Sequence, residues 1–111
     1  MRILCVDDDL LIRESTGDML RELKHDVYEA PDGTLALEWL ARCKFAVDLL
    51  ITDVRMPRMT GFALARKAAE HNPELSVIFM TGYGEGLAAP GPVLRKPFSF
   101  GKLREAIARV R

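Results

Sequence analysis

Two cysteines in 111 residues, Cys5 inside an apolar run and Cys43 after a helical stretch, leave no disulfide framework and no metal-ligand spacing. Cys5 is expected as a buried free thiol. Charge of one sign is missing too: 16 basic residues balance 16 acidic ones, so nothing points to nucleic acid or an anionic membrane surface as a partner. No apolar run approaches bilayer length, and Met1-Arg2-Ile3-Leu4 enters a strand at once. Neither a membrane span nor a signal peptide is therefore expected, and the predicted location is the cytoplasm. Aromatic residues make up 7%, with a single tryptophan, and Trp39 reads as a packing side chain. His25 and His71 stand apart from each other and from cysteine, which argues against a ligand role. Without repeat, linker or low-complexity tail, residues 1–111 read as one domain long enough to bury a core.

What the chain does have is a set of apolar runs that each end in reactive or charged side chains. The run Asp48-Leu49-Leu50-Ile51-Thr52 closes on Asp53, and Pro57 soon forbids further ladder or helix. Ile3-Leu4-Cys5-Val6 ends in Asp7 and Asp8, Val77-Ile78-Phe79-Met80 in Thr81, and Val93-Leu94 in Arg95 and Lys96. Near-continuous apolar runs are what strands covered by helices on both faces look like.

Helices are expected between them. Asp9 can cap one running to about Lys24, with Leu11, Met19, Leu20 and Leu23 available inward. His25 to Ala30 is polar enough for an edge strand, Pro31-Asp32-Gly33 is a turn, and Thr34 opens a second helix to about Arg42. A third helix runs from Thr60 to about His71, where Asn72-Pro73 stops it. A fourth strand covers about Leu75 to Thr81, and Ser99 can cap a last helix carrying Leu103, Ile107 and Val110. This alternation predicts an α/β doubly wound, five-stranded parallel sheet in the order 2-1-3-4-5. In that order Asp7, Asp8 and Asp53 meet at the switch point outside the carboxyl ends of the strands.

Carboxylates gathered there repel one another, and a hard divalent cation resolves the repulsion. Mg²⁺ suits a site with few protein ligands and room for phosphate oxygens. Asp7 and Asp8 then read as metal carboxylates and Asp53 as a nucleophile able to form an acyl phosphate. The Thr81 hydroxyl and the Lys96 ammonium are placed to take phosphoryl oxygens.

Taken together, Val6-Asp7-Asp8-Asp9, Asp53-Val54-Arg55-Met56-Pro57 with Thr60-Gly61, Thr81 and Lys96-Pro97-Phe98 resemble the receiver domain of two-component response regulators. Glu29-Ala30-Pro31-Asp32-Gly33 with Ala36-Leu37 is also similar to the family's second strand and helix. The resemblance spans essentially the whole chain. It implies a flavodoxin-like fold, and phosphorylation of Asp53 by a sensor histidine kinase or phosphotransfer protein. It further implies Mg²⁺ on Asp7, Asp8, Asp53 and the main-chain carbonyl of Arg55, with Thr81 and Lys96 contacting the phosphoryl group. Catalysis is then confined to the domain's own aspartate, and a downstream protein reads the shape change.

Two departures stand out. Val93 occupies the place, three before the lysine, where receivers usually carry an aromatic residue, so the aromatic part of the usual switch is not carried over. The interval from Thr81 to Lys96 is short, and residues 82–92 hold four glycines and two prolines. The helix there is expected to be shortened or disordered. That segment, in a Thr81-Gly82-Tyr83 setting similar to one receiver subgroup, either orders on phosphorylation with Tyr83 as its reporter or is a plain mobile loop.

Rival readings fit less well. A phosphatase of the haloacid dehalogenase type needs a second acid two residues after its nucleophile, where Arg55 stands. Phosphate-binding glycine fingerprints demand other spacings than Gly82, Gly84 and Gly86 provide. A receiver degenerated to a binding module would not keep every site position competent. With no effector domain after Arg111, output is expected through protein contact or onward phosphotransfer, and Met1 suggests a stand-alone protein rather than part of a hybrid kinase.

Overall fold

The computed structural model describes residues 1–82 and 89–110. Strands β1 (Arg2–Val6), β2 (Asp26–Ala30), β3 (Leu49–Asp53), β4 (Ser76–Thr81) and β5 (Val93–Arg95) pair in parallel in the order β2-β1-β3-β4-β5. Helices α1 (Leu10–Glu22), α2 (Gly33–Arg42), α3 (Gly61–His71) and α4 (Phe100–Arg109) cover its two faces.

Alternation along each strand explains the continuous apolar runs. Leu4, Val6, Leu50 and Phe79 join Ala36 and Leu40 of α2 and Leu64 and Ala68 of α3 in one core. Their neighbours Ile3, Cys5, Leu49, Ile51, Ile78 and Met80 join Leu20 of α1 and Leu103 and Ile107 of α4 in the other. With both faces covered, no position of β3 is free to be polar unless its side chain has work to do at the strand's end. All five residues of β3 are buried. The outer strands differ as the sequence suggested: β2 is only partly buried, and β5 exposes Val93 by 42%.

Each helix begins on an oxygen cap. Asp9, Asp32, Thr60 and Ser99 accept from the N–H groups of Ile12, Leu35, Ala63 and Lys102, satisfying donors that the first turn leaves unpaired. The second helix therefore starts at Gly33 behind Asp32, not at Thr34. The first ends at Glu22, where Lys24 takes a left-handed turn at φ 72° and the His25 N–H closes on the Leu20 carbonyl. Leu11 corrects the expected inward face of α1: it is 79% exposed, and Thr16, Gly17 and Leu20 are the buried positions. Trp39 packs on Tyr28 of β2, ring centroids 4.5 Å apart. The expectations for the helix before β5, and for ordering of 82–92 with Tyr83 as reporter, fall on residues 83–88 and lie outside the described residues.

Candidate functional site

Parallel pairing sets the strand ends side by side. Val6 is in register with Thr52, Asp53 with Met80, and Thr81 with Arg95, so the residues just beyond them face one crevice. Asp7 is completely buried, Asp53 is 7% exposed, and Asp8 is exposed. One carboxylate oxygen from each of the three lies within 4.8 Å of the others.

The backbone that carries Asp53 is tightly held. Val54 N–H donates to the Met80 carbonyl at 3.0 Å and Gly61 N–H to the Val54 carbonyl at 2.8 Å, while the buried Thr52 hydroxyl donates to the Asp53 carbonyl at 3.0 Å. Gly61 is needed where it stands. A Cβ would run into the Asp53 carbonyl oxygen and sit 3.1 Å from Val54 Cα, so a side chain there forces the end of β3 away from the start of α3.

Lys96 reaches in from the far side. Its backbone N–H donates to the Thr81 carbonyl at 2.8 Å, and its Nζ lies 2.8 Å from Asp7 Oδ2 and 3.2 Å from Asp53 Oδ2. Asp7 Oδ1 accepts from Asp9 N–H at 2.9 Å. Burial, opposed by the attraction of Lys96 and reinforced by Asp7 and then Asp8, pushes the Asp53 carboxyl up to about 6. Burial works against the charge on Lys96, but contact with Asp7 and attraction to Asp53 outweigh it and raise its pKa.

Converging oxygens, a fully buried Asp7 carboxylate and one carboxyl resisting ionisation are the marks of a site that a hard divalent cation fits. The exposed Asp8 leaves room for waters. Thr81 is buried at the end of β4, while Arg55 has an exposed side chain in the β3–α3 connection. Beside Lys96, Leu11, Ile12, Met19, Pro97 and Phe98 help line a largely apolar groove of about 510 Å³.

Two neighbours were not found from the sequence. Arg13 donates to the Asp7 main-chain carbonyl at 2.8 Å, and its Nε lies 3.5 Å from Glu29 Oε1. The signal available was a cation near the start of a helix, where the dipole disfavours it.

A model of the response regulator receiver domain matches residues 3–108. The chain is 37% identical to the response regulator MprA of Mycobacterium leprae, over all of this chain and 50% of that protein. It is 34% identical to the response regulator receiver protein CpdR of Brucella abortus, over 98% of this chain and 95% of that one. The chain thus spans half the length of the first relative and nearly all of the second. Among solved structures, a response regulator receiver domain protein from Clostridium thermocellum superposes with a TM-score of 0.89 at 28% identity, covering 98% of this chain and 92% of that one.

Proposed function

The chain belongs to the response regulator receiver domain family, and on that premise we propose that it is the phosphoacceptor of a two-component phosphorelay, taking a phosphoryl group on Asp53 from a histidine kinase or phosphotransfer protein. The family is a signalling domain; its catalysis here is limited to its own aspartate. The observation that carries the reading is the place of the Asp53 carboxylate. It ends the central strand with Asp7 and Asp8 oxygens within 4.8 Å and an ammonium at 3.2 Å.

In the forward step an Asp53 oxygen attacks phosphorus, the P–N bond to the donor imidazole breaks, and the imidazole leaves with that electron pair. The pKa near 6 keeps Asp53 largely ionised at neutral pH yet more basic than an ordinary carboxylate. Asp7, Asp8, Asp53 and the Arg55 main-chain carbonyl are the ligands assigned to Mg²⁺, which supplies charge neutralisation for the phosphoryl oxygens when bound. Lys96 and the Thr81 hydroxyl take further oxygens. Water attack at phosphorus later returns the carboxylate and inorganic phosphate.

Phosphorylation adds a charge of about −1.5 to −2 at neutral pH. Lys96, shared between Asp7 and Asp53, is the group whose pairing must then change, which couples the new charge to the end of β5. The apolar groove next to Lys96 offers the phosphodonor a surface. Output passes to an unidentified protein by conformational change or by onward phosphotransfer, in the cytoplasm, with neither nucleic acid nor membrane as partner. Among the described residues no helix is long and apolar enough to cross a membrane.

Intact mass after incubation with acetyl phosphate tests this. A single Mg²⁺-dependent phosphoryl adduct is expected on the parent and none on Asp53→Asn. An adduct that survives that substitution, or a parent that neither gains mass nor releases phosphate, overturns the assignment.

A further inference from the structure

We propose that Arg13 is a positioning residue for the cation site, acting through the Asp7 main-chain carbonyl with Glu29 as its anchor. The inference rests on reading Asp7 and Asp8 as Mg²⁺ ligands. At Asp7 the chain leaves the sheet: its N–H still donates to the Ala30 carbonyl at 3.2 Å. Its own carbonyl is met by Arg13 at 2.8 Å. The peptide that links the two proposed ligands is thus fixed by that guanidinium. Removing it leaves a carbonyl without that donor and a turn free to tilt.

The anchor is built at some cost to the helix. Glu29, at the end of β2, reaches both Arg13 at 3.5 Å and Arg21 at 2.9 Å. Its carboxylate passes over Gly17, where a Cβ would lie 2.6 Å from Glu29 Oε2 and 3.0 Å from an Arg21 guanidinium nitrogen. Glycine inside a helix is unfavourable, and nothing about α1 itself calls for one. What does call for it is room for the Glu29 carboxylate, whose Oε2 pairs with Arg21 over Gly17 while its Oε1 faces Arg13. With side chains 14% and 20% exposed, Arg13 and Glu29 are screened only in part from solvent.

Charge and position make opposite forecasts, which allows a clean test. A guanidinium near the ligands repels a cation, so deleting it by charge alone should tighten Mg²⁺ binding. Loss of positioning should weaken it, by about tenfold for a partner of this kind. Titration of the full chain with Mg²⁺ alone, followed by calorimetry or by amide NMR shifts, reads the dissociation constant, and melting in EDTA reads stability separately. The expected series is a tenfold rise for Arg13→Ala, an intermediate value for Arg13→Lys, and a roughly threefold rise for Gly17→Ala with an undiminished melting temperature, since alanine favours the helix. A dissociation constant for Arg13→Ala at or below the parent's, or an unchanged one for Gly17→Ala should Arg13→Ala fail to fold, reduces the cluster to a structural ion pair and overturns the proposal. A parent that binds no Mg²⁺ overturns instead the metal assignment on which the proposal stands.

Discussion

At the amino edge of the sheet the polar groups meet partners. Arg2 N–H donates to Asp48 Oδ2 at 2.8 Å. Asn72 Nδ2 donates to the Phe45 carbonyl at 3.1 Å and, more weakly, to that of Val47 at 3.5 Å. There Lys44 and Phe45 hold left-handed backbone at φ 56° and 57°, and Phe45 stacks on His71 with centroids 4.3 Å apart. At the carboxyl edge of the same strands, Asp7 and Asp53 are buried against one ammonium. The amino edge closes its connections with paired polar groups; the carboxyl edge, where Arg58 also holds left-handed backbone at φ 69°, keeps charges that folding alone would not choose. Stability and chemistry thus sit at opposite ends of one sheet, and substitutions at the two ends should separate them.

The largest separation is expected from Lys96→Met. Removing one partner of a buried ionic cluster costs about 3–5 kcal/mol, here because Asp7 and Asp53 lose their shared cation. In urea unfolding without Mg²⁺ the loss should be largest at pH 8. It should shrink near pH 5, where Asp53 can take a proton, and shrink again when Mg²⁺ is added. A loss that ignores both pH and Mg²⁺ would show that Lys96 acts here by packing its stem.

Asp53→Asn should move the other way. The carboxyl pKa is raised from 3.8 to about 6 in the fold, so the folded state prefers the protonated form. Its contribution is most favourable below pH 3.8 and is lost as pH rises through about 6. Without metal the variant should therefore exceed the parent by at most about 3 kcal/mol at pH 8, with the gap closing toward pH 4. Saturating Mg²⁺ should narrow the gap at pH 8, because the parent supplies the carboxylate ligand. A variant no more stable than the parent at pH 8 would mean that burial of the Asp53 charge carries no cost.

How far the sequence disclosed these two edges follows from what each is made of. Apolar runs ending in Asp7, Asp53, Thr81 and Lys96 announce strands, their burial and the side on which the chemistry lies, because strand ends converge by topology alone. The caps at Asp9 and Ser99 were legible because capping is local. Leu11 misled because helical spacing shows a stripe of apolar residues but not where the sheet stops beneath it. Arg13 and Glu29 belong to different elements, and their meeting over Gly17 depends on the distance between α1 and β2, which no local pattern records. The amino edge was hidden for a related reason: left-handed backbone at Lys24, Lys44 and Phe45 has no glycine to announce it.

The smallest of these effects, and the one that tests the amino edge by itself, is expected from Asn72→Ala. Asn72 ends α3, its N–H bound to the Ala68 carbonyl at 3.0 Å. Its side chain also accepts from Glu74 N–H at 3.2 Å while donating across to the Phe45 carbonyl at 3.1 Å. Alanine keeps the backbone bond and removes the others, leaving partly buried carbonyls to water, at a cost of about 1–2 kcal/mol. Chemical denaturation at pH 8 should register that loss. Phosphoryl uptake from acetyl phosphate should keep the parent's rate and Mg²⁺ dependence, because the strands between the edges are closely packed and every position of β3 is buried. A slower uptake in this variant would mean that the connection before β3 sets the position of Asp53 at its other end, and the two edges would then be one mechanical unit.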